Sequence, residues 1–116
     1  MAAFKRSRRL YDKKAISQVL RRGRRIERGG LVVYFQSSDN SASRLAVVVS
    51  KSVDKRAVRR NKIRRQISEI MRGLIFGIKK PLRIIVRVLP EASKADFGRL
   101  KNALEEIFVN INNLKI

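Results

Sequence analysis

Basic and amide side chains recur along residues 57–72 at a spacing that brings them to one side of a helix. Arginine presents five N–H donors in a planar fork that fits phosphate, and an amide both donates and accepts hydrogen bonds. A solvated helix face typically mixes acids at i±4 with its bases, whereas this segment holds one acid, Glu69. The pattern therefore favours a surface that binds nucleic acid. Its members are Asn61, Arg64, Arg65, Ser68 and Arg72.

The opposite side of the same segment is apolar. Its residues fall at i, i+4, i+7, i+8 and i+11, which is the spacing of one buried stripe on an α-helix. They are Ile63, Ile67, Ile70, Met71 and Leu74. The sequence therefore predicts a helix that packs on a core by one side and exposes its basic side.

Positive charge is concentrated in parts of the chain. The 116 residues carry a net charge of +20, and 44% of them are hydrophobic, which predicts one domain with a genuine core over residues 1–116. Residues 1–28, 51–72 and 73–90 hold the whole excess, and the other segments are neutral. Such segregation is typical of an RNA-binding face. Residues 1–10 are basic with few core candidates, so we predict an extended or mobile segment there.

Several classes of protein are disfavoured by composition. The chain has no cysteine and no histidine, so it lacks disulfides, the usual general base and the commonest metal ligand. It has no run of 18 apolar residues and no secretory signal pattern. We therefore expect no protein-held metal, no membrane contact, and a cytoplasmic protein with a nucleic-acid partner.

The first half of the chain predicts one helix and two strands. Asp12 can cap a helix over about 13–22, and Gly23 can end it. The apolar alternation of 31–36 and the Val-rich run of 44–50, separated by a polar turn, predict an antiparallel hairpin.

The second half predicts one strand and one further helix. Residues 77–82 interrupt the central helix, and 83–90 form a strong strand. A last helix over about 94–112 would begin at Ser93, with Asp96 as its reciprocal partner in a capping box.

These elements predict an α/β (α+β) two-layer sandwich. The strands would form a mostly antiparallel sheet, with three helices covering one side of it. The Val/Ile density of 44–50 and 83–90 places these two strands centrally.

The segment 45–65 resembles the protein subunit of bacterial ribonuclease P. It reads LAVVVSKS, then the loop VDKRAV, then RRNKIRRQI. The positions that match the family are Ser50, Lys51, Ala57, Val58, Arg60, Asn61, Lys62, Arg64 and Arg65. The likeness extends to RLYDKKAISQVLRRG at 9–23, to LVVYF, and to RIIVRVLP with the helix after it.

The resemblance implies a function in tRNA maturation. Proteins of this family bind a large catalytic RNA that removes the 5′ leader of precursor tRNA with divalent metal ions. The implied partners are that RNA and precursor tRNA, with no protein partner, and Mg²⁺ would be held mainly by RNA and substrate. The implied fold uses a short strand within 25–30 to complete a sheet of about four strands. It also contains a left-handed crossover between two parallel strands.

The resemblance also assigns roles to residues, none of them catalytic or metal-binding. Tyr34 could stack on a base while Lys51 neutralises phosphate. The implied contacts to the catalytic RNA are Lys51, Arg59, Arg60, Asn61, Lys62, Arg64, Arg65 and Arg72. The implied leader cleft is lined by Ile16, Leu20, Val32, Tyr34, Ser50 and Lys51.

Three positions depart from the family pattern. Ile16 and Leu20 replace aromatic residues that many members carry, which favours aliphatic contact over base stacking in the cleft. Ser68 stands where another arginine is common, and Asp54 where many members have glycine. These changes affect the grip on the leader and the shape of the loop.

Other functions fit parts of the pattern. A ribosomal or RNA-chaperone protein shares the size and charge, and only the Ser-Lys plus Arg-Arg-Asn-Lys arrangement separates it. A DNA-binding helix–turn–helix would need a short helix before 57–72, where a strand is predicted. A metal-dependent nuclease would need clustered acids, and the chain's nine acids are scattered.

Overall fold

Three α-helices and four β-strands make up the part of the chain that the computed structural model describes, which is residues 9–10, 12–38 and 42–114. Short 3₁₀ turns occur at Ile75–Gly77 and Pro90–Ala92. This composition confirms the predicted α+β class. In chain order the elements are α1 Lys13–Arg22, β1 Arg24–Arg28, β2 Leu31–Ser37, β3 Arg44–Val48, α2 Ala57–Leu74, β4 Leu82–Val88 and α3 Phe97–Asn113.

The strands are ordered β1-β2-β4-β3 in one sheet. β2 pairs antiparallel with β1 and β4, whereas β3 pairs parallel with β4, so α2 lies in a crossover between parallel strands. The predicted hairpin of 31–36 with 44–50 was wrong, because β4 lies between these strands. Of the two strands that were expected to be central, β3 lies at the edge of the sheet, whereas β4 is central. Its residues Ile84, Ile85 and Val86 are fully buried, which explains why it takes the inner position.

Helices cover both sides of the sheet. α2 and α3 pack on the side formed by alternate residues of β2, which include Val33 and Phe35. α1 packs on the other side, where Val19 contacts a smaller cluster around Ile85 and Tyr34. The prediction that the helices cover one side was therefore wrong. It failed because β2 and β4 carry apolar residues at both odd and even positions, so both of their sides need a cover.

α1 crosses the strands from one edge of the sheet toward the other. Before it, the Leu10 amide donates to the Leu45 carbonyl of β3 at 2.7 Å. After it, Gly23 lies so close to β2 that an added Cβ would be 2.9 Å from the Phe35 carbonyl oxygen. Of the predicted mobile segment 1–10, residues 1–8 lie outside the described residues, while Arg9 and Leu10 lie along β3.

The local signals at α1 and β1 are confirmed. The Asp12 side chain caps α1 by accepting from the Lys14 amide at 3.1 Å. β1 occupies the segment where a short strand was expected, and Gly29 and Gly30 join it to β2 with φ of 60° and 81°. Two successive positive φ values are typical of the type I′ turn that suits a right-handed strand twist.

The start of α3 differs from the prediction. Pro90–Ala92 form a 3₁₀ turn, so the helix begins at Phe97 and not at residue 94. The Asp96 side chain caps it by accepting from the Arg99 amide at 2.9 Å. Ser93 is not the cap, so the proposed capping box was wrong. Pro90, with its fixed φ, starts a separate 3₁₀ turn before Ser93, and the helix begins only after that turn.

Candidate nucleic-acid interface

α2 is attached to the core by the predicted stripe. Ile67 and Met71 are fully buried, and Ile63 and Ile70 are 6% exposed. Leu74 is half-buried against the same cluster. Because all the buried residues of α2 lie on one side, the other side of this 18-residue helix faces solvent.

The exposed side of α2 holds two cations without a partner in the described part of the chain. The side chains of Lys62 and Arg65 are exposed and take part in no hydrogen bond or ion pair. Val58, which is 77% exposed, lies on the same side one to two turns nearer the helix start. A cation that no acid neutralises is available to a phosphate, so this patch is the most accessible basic surface of α2.

Two other arginines of the predicted set are bound within the protein. Arg60 Nη1 donates to the carbonyl oxygens of Asp54 at 3.1 Å and Lys55 at 2.8 Å. Arg64 donates to the Asn61 side chain and, at 3.5 Å, to the carbonyl of the residue after β3. By helical angle Arg60 lies at the margin of the apolar stripe, and its side chain folds back onto the loop before α2.

The remaining predicted contacts on α2 lie next to acids. Arg59 Nε is 3.7 Å from Asp54 Oδ2, and Arg72 Nη2 is 3.6 Å from Glu69 Oε1. These surface ion pairs are weak, at about 0–1 kcal/mol each, so a phosphate can compete for either arginine.

Replacing Arg60 with alanine is expected to lower the free energy of unfolding by about 1–3 kcal/mol, because two loop carbonyls lose a charged donor. Arg65→Ala is the matched control, since it removes the same group from an exposed site. We expect it to change stability by less than about 0.5 kcal/mol. Urea denaturation of the two variants measures the difference, and equal stabilities would show that the Arg60 bonds contribute nothing.

Asp54 organises the loop before α2. Its Oδ1 accepts from the Arg56 amide at 2.9 Å and from Arg56 Nε at 3.2 Å, while Oδ2 lies 3.1 Å from Arg56 Nη2. These bonds from Arg56, and the charges of Arg56 and Arg59, lower the pKa of the Asp54 carboxyl below its ordinary value of 3.8. The residue that departs from the family pattern therefore holds the loop by its side chain.

This pKa predicts a contribution to stability that depends on pH. A carboxyl whose folded pKa is depressed stabilises the fold fully above its ordinary pKa and loses that effect as pH falls through the folded value. We expect wild type to lose more stability than Asp54→Asn as pH falls from about 5 to about 2. Thermal melts across this range test it. A difference between the two proteins that does not change with pH would contradict the assignment.

The predicted leader cleft lies along one flank of α1. The other flank is fixed by Gln18, whose Oε1 accepts from Arg83 Nη1 at 3.3 Å. Ile16 and Leu20 lie about 160° around the helix from Gln18, so they face away from Arg83. On that side of α1, the sheet presents the row Val32–Arg87–Val48, which β2, β4 and β3 bring into register.

The side chains that line this cleft differ in their exposure to solvent. Leu20 is 45% exposed, so a ligand can contact its side chain. Val32 is only 1% exposed, so it packs within the floor of the cleft and is not accessible to a ligand. Val48, at 41% exposure, and the exposed Arg87 were missed by the sequence reasoning. Strict alternation along 83–90 places Arg87 on the α1 side and could have revealed it.

The remaining cleft residues differ in how deeply they are buried. Tyr34 is half-buried under α1, and the Arg25 guanidinium lies 6.0 Å from its ring centroid. A base that stacks on this ring would share it with Arg25. Ser50 and Lys51 are exposed just after β3, where Ser50 Oγ is 2.6 Å from the hydroxyl of Ser52.

Two classes of feature are absent from residues 9–10, 12–38 and 42–114. No group of three or more Asp or Glu side chains that could hold a metal ion occurs in these ranges. In the same ranges, no helix has the length and apolar content needed to cross a membrane.

Comparison with known proteins gives consistent matches. The family model described as Ribonuclease P matches residues 4–112. The ribonuclease P protein component of Acidothermus cellulolyticus is 37% identical over 112 residues, which cover 95% of this chain and 90% of the relative. That of a Pseudanabaena species is 40% identical over 70 residues, 60% of each chain. The solved RNase P protein of Staphylococcus aureus has a TM-score of 0.80 at 26% identity, covering 91% of this chain and 95% of that one.

Proposed function

The chain belongs to the ribonuclease P protein family, and from this we propose that it binds the RNA subunit of that enzyme through α2 and the 5′ leader of precursor tRNA through the cleft beside α1. The RNA subunit would carry out the hydrolysis that removes the leader. The protein would raise the affinity for the leader and steady the metal-dependent fold of the RNA.

The exposed cations of α2 carry this proposal. Lys62 and Arg65 form no ion pair with any described residue and project from a helix whose opposite side is anchored in the core. A rigid support lowers the entropy cost of holding long side chains against phosphate. Arg59 and Arg72 can join them by exchanging weak ion pairs for phosphate contacts.

The cleft suits a single strand of RNA. Leu20 and Val48 give it exposed apolar surface, and Arg87 and Lys51 supply positive charge nearby. Bases have apolar faces, and phosphates are anionic, so this combination supports binding that depends little on base sequence. The departure from aromatic residues at Ile16 and Leu20 supports aliphatic packing against the leader in place of stacking.

Divalent metal would belong to the RNA side of the complex. We expect Mg²⁺ to be held mainly by RNA and substrate, as the family resemblance implies. The proposed role of the protein is therefore to bind and orient RNA, in the cytoplasm where precursor tRNA is processed.

Reconstitution tests the proposal. A 5′-extended precursor tRNA is incubated at low magnesium with a bacterial ribonuclease P RNA, with and without this protein. We expect the protein to stimulate cleavage strongly and to cleave nothing without the RNA. Tight RNA binding without stimulation would instead support the ribosomal or RNA-chaperone alternative.

Salt dependence gives a second measure of the same interface. Each phosphate that a cation neutralises releases counterions, so affinity should fall steeply as salt concentration rises. A slope of log K against log salt near zero would count against α2 as a phosphate-binding surface.

A further inference from the structure

Two arginines lie side by side on the α1 side of the sheet, away from both surfaces described above. Arg44 of β3 and Arg83 of β4 are register partners, and Gln36 of β2 is the register partner of Arg83 on its other side. All three project to the same side as Tyr34, Ile85 and Ala46, because side chains alternate along strands. They form one polar row across three strands.

This row lacks an internal charge partner among the described residues. Neither arginine takes part in an ion pair there, and Arg83 bonds only to Gln18. Arg44 Nε is a buried donor without a hydrogen-bond partner among the described residues. Buried polar atoms are nearly always bonded, and like charges in facing positions destabilise a sheet. Among the described residues no acid neutralises the two guanidinium groups, which leaves them available to an anion.

The row continues onto the outer surface of α1. The Gln18–Arg83 bond links it to a shallow depression of about 550 Å³ on that helix. No acid lines the depression. Its lining residues are Lys13, Lys14, Ser17, Gln18, Arg21 and Arg22.

We propose that the Arg44–Arg83 pair and the outer surface of α1 form an additional binding site for the phosphates of an RNA strand. Paired guanidinium forks fit the several acceptor oxygens of a phosphodiester. The spread of the cations over a helix and three strands suits a polyanion that runs across them better than one small anion. Two unrelated observations agree on this, namely the unpaired buried guanidinium atom and the acid-free depression beside it.

This site is distinct from the α2 surface and from the leader cleft. α2 packs on the other side of the sheet. The cleft lies on the opposite flank of α1, since Ile16 and Leu20 face away from the flank that Gln18 fixes to Arg83. The inference rests on the proposed function in that it assumes an RNA partner, but it adds a third contact area.

The test is the double variant Arg44→Gln/Arg83→Gln, measured for affinity to a ribonuclease P RNA and, separately, to a 5′-extended precursor tRNA. The two arms show which RNA occupies the site. Two lost phosphate contacts should make the slope of log K against log salt shallower by about 1.4–1.8. The matched control is Arg99→Gln/Lys101→Gln, which removes the same charge from exposed positions on α3 and should leave the slope nearly unchanged.

Thermal melting of the free variant separates binding from a structural role. Removing two facing like charges should leave the melting temperature unchanged or raise it. A lower melting temperature with an unchanged salt slope would overturn the proposal. If the double variant does not fold, Arg83→Gln alone carries the test, with half the expected change in slope.

The experiment also distinguishes this inference from the proposed function. Lys62→Ala/Arg65→Ala is measured in parallel. If that variant has a shallower slope and Arg44→Gln/Arg83→Gln does not, the additional site is refuted while the α2 interface stands. If neither variant changes the slope for either RNA, both proposals fail.

Discussion

Replacing Lys62 and Arg65 with glutamate is expected to weaken binding to ribonuclease P RNA by roughly a thousandfold. A hydrogen bond to a charged group contributes about 1.5–3 kcal/mol, so losing two of them removes roughly 3–6 kcal/mol. Repulsion between the new carboxylates and phosphate adds to the loss. Because both side chains are exposed and take part in no hydrogen bond or ion pair within the described protein, the fold should be unaffected.

Filter binding at fixed salt, with thermal melts of the free proteins, measures this effect. Arg99→Glu/Lys101→Glu on α3 is the matched control, because it makes the same change of charge at exposed positions on a different helix. Equal losses in the two variants would show that affinity follows net charge. A loss confined to the α2 variant would locate the interface on that helix.

Ile67→Ala is expected to have the largest effect on stability, with a loss of roughly 2–5 kcal/mol. Ile67 is fully buried in the core that α2 shares with α3 and the sheet. The truncation loses apolar burial and leaves a cavity, and neighbours in a close-packed core relax only partly. RNA binding by the folded fraction should be unchanged, since Ile67 points away from the exposed side.

Val58→Ala is the control for this prediction. Val58 is on the same helix and 77% exposed, so its truncation should change stability by less than about 0.5 kcal/mol. Urea denaturation gives both values. A small loss at Ile67, comparable to that at Val58, would mean that α2 is not held by its apolar stripe.

The sequence predicted α2 well because its information is local. Five apolar residues at helical spacing determine the buried side, and the basic residues then fall opposite. The cap of α1 by Asp12 is also local, since a side-chain oxygen meets an amide two residues away. Signals of this kind depend on neighbours within one or two turns, so one sequence is enough to read them.

Sheet order was not predictable in the same way. Residues 31–36 and 44–50 are close in sequence and both apolar, so a hairpin is the default expectation. The competing partner, β4, comes more than thirty residues later, and alternation says which side a strand buries but not which strand it meets. The Arg44–Arg83 pair could not be predicted for the same reason, because these two positions become neighbours only once β3 and β4 are paired.

The accessibility of individual side chains could not be predicted from the sequence either. Arg60 and Lys62 are both cationic and two residues apart, yet Arg60 is bonded to the carbonyls before α2 while Lys62 takes part in no hydrogen bond or ion pair in the described structure. Tertiary contacts with a loop decide this, and helical angle alone gives only a direction. The family resemblance supplied a list of contacts without ranking them.

β4 ends the β3–α2–β4 crossover and lies between β2 and β3 in the sheet, although both of these strands precede it in the chain. During synthesis, β2 and β3 therefore emerge without the strand that joins them, and α2 emerges before the sheet that supports it is complete. Non-local pairing of this kind makes folding slow relative to local helix formation. The α2 surface can acquire its final support only after residues 82–88 have left the ribosome. We therefore expect RNA binding only after translation has passed this point. A chain truncated before Leu82 should bind its RNA partner more weakly than the full chain.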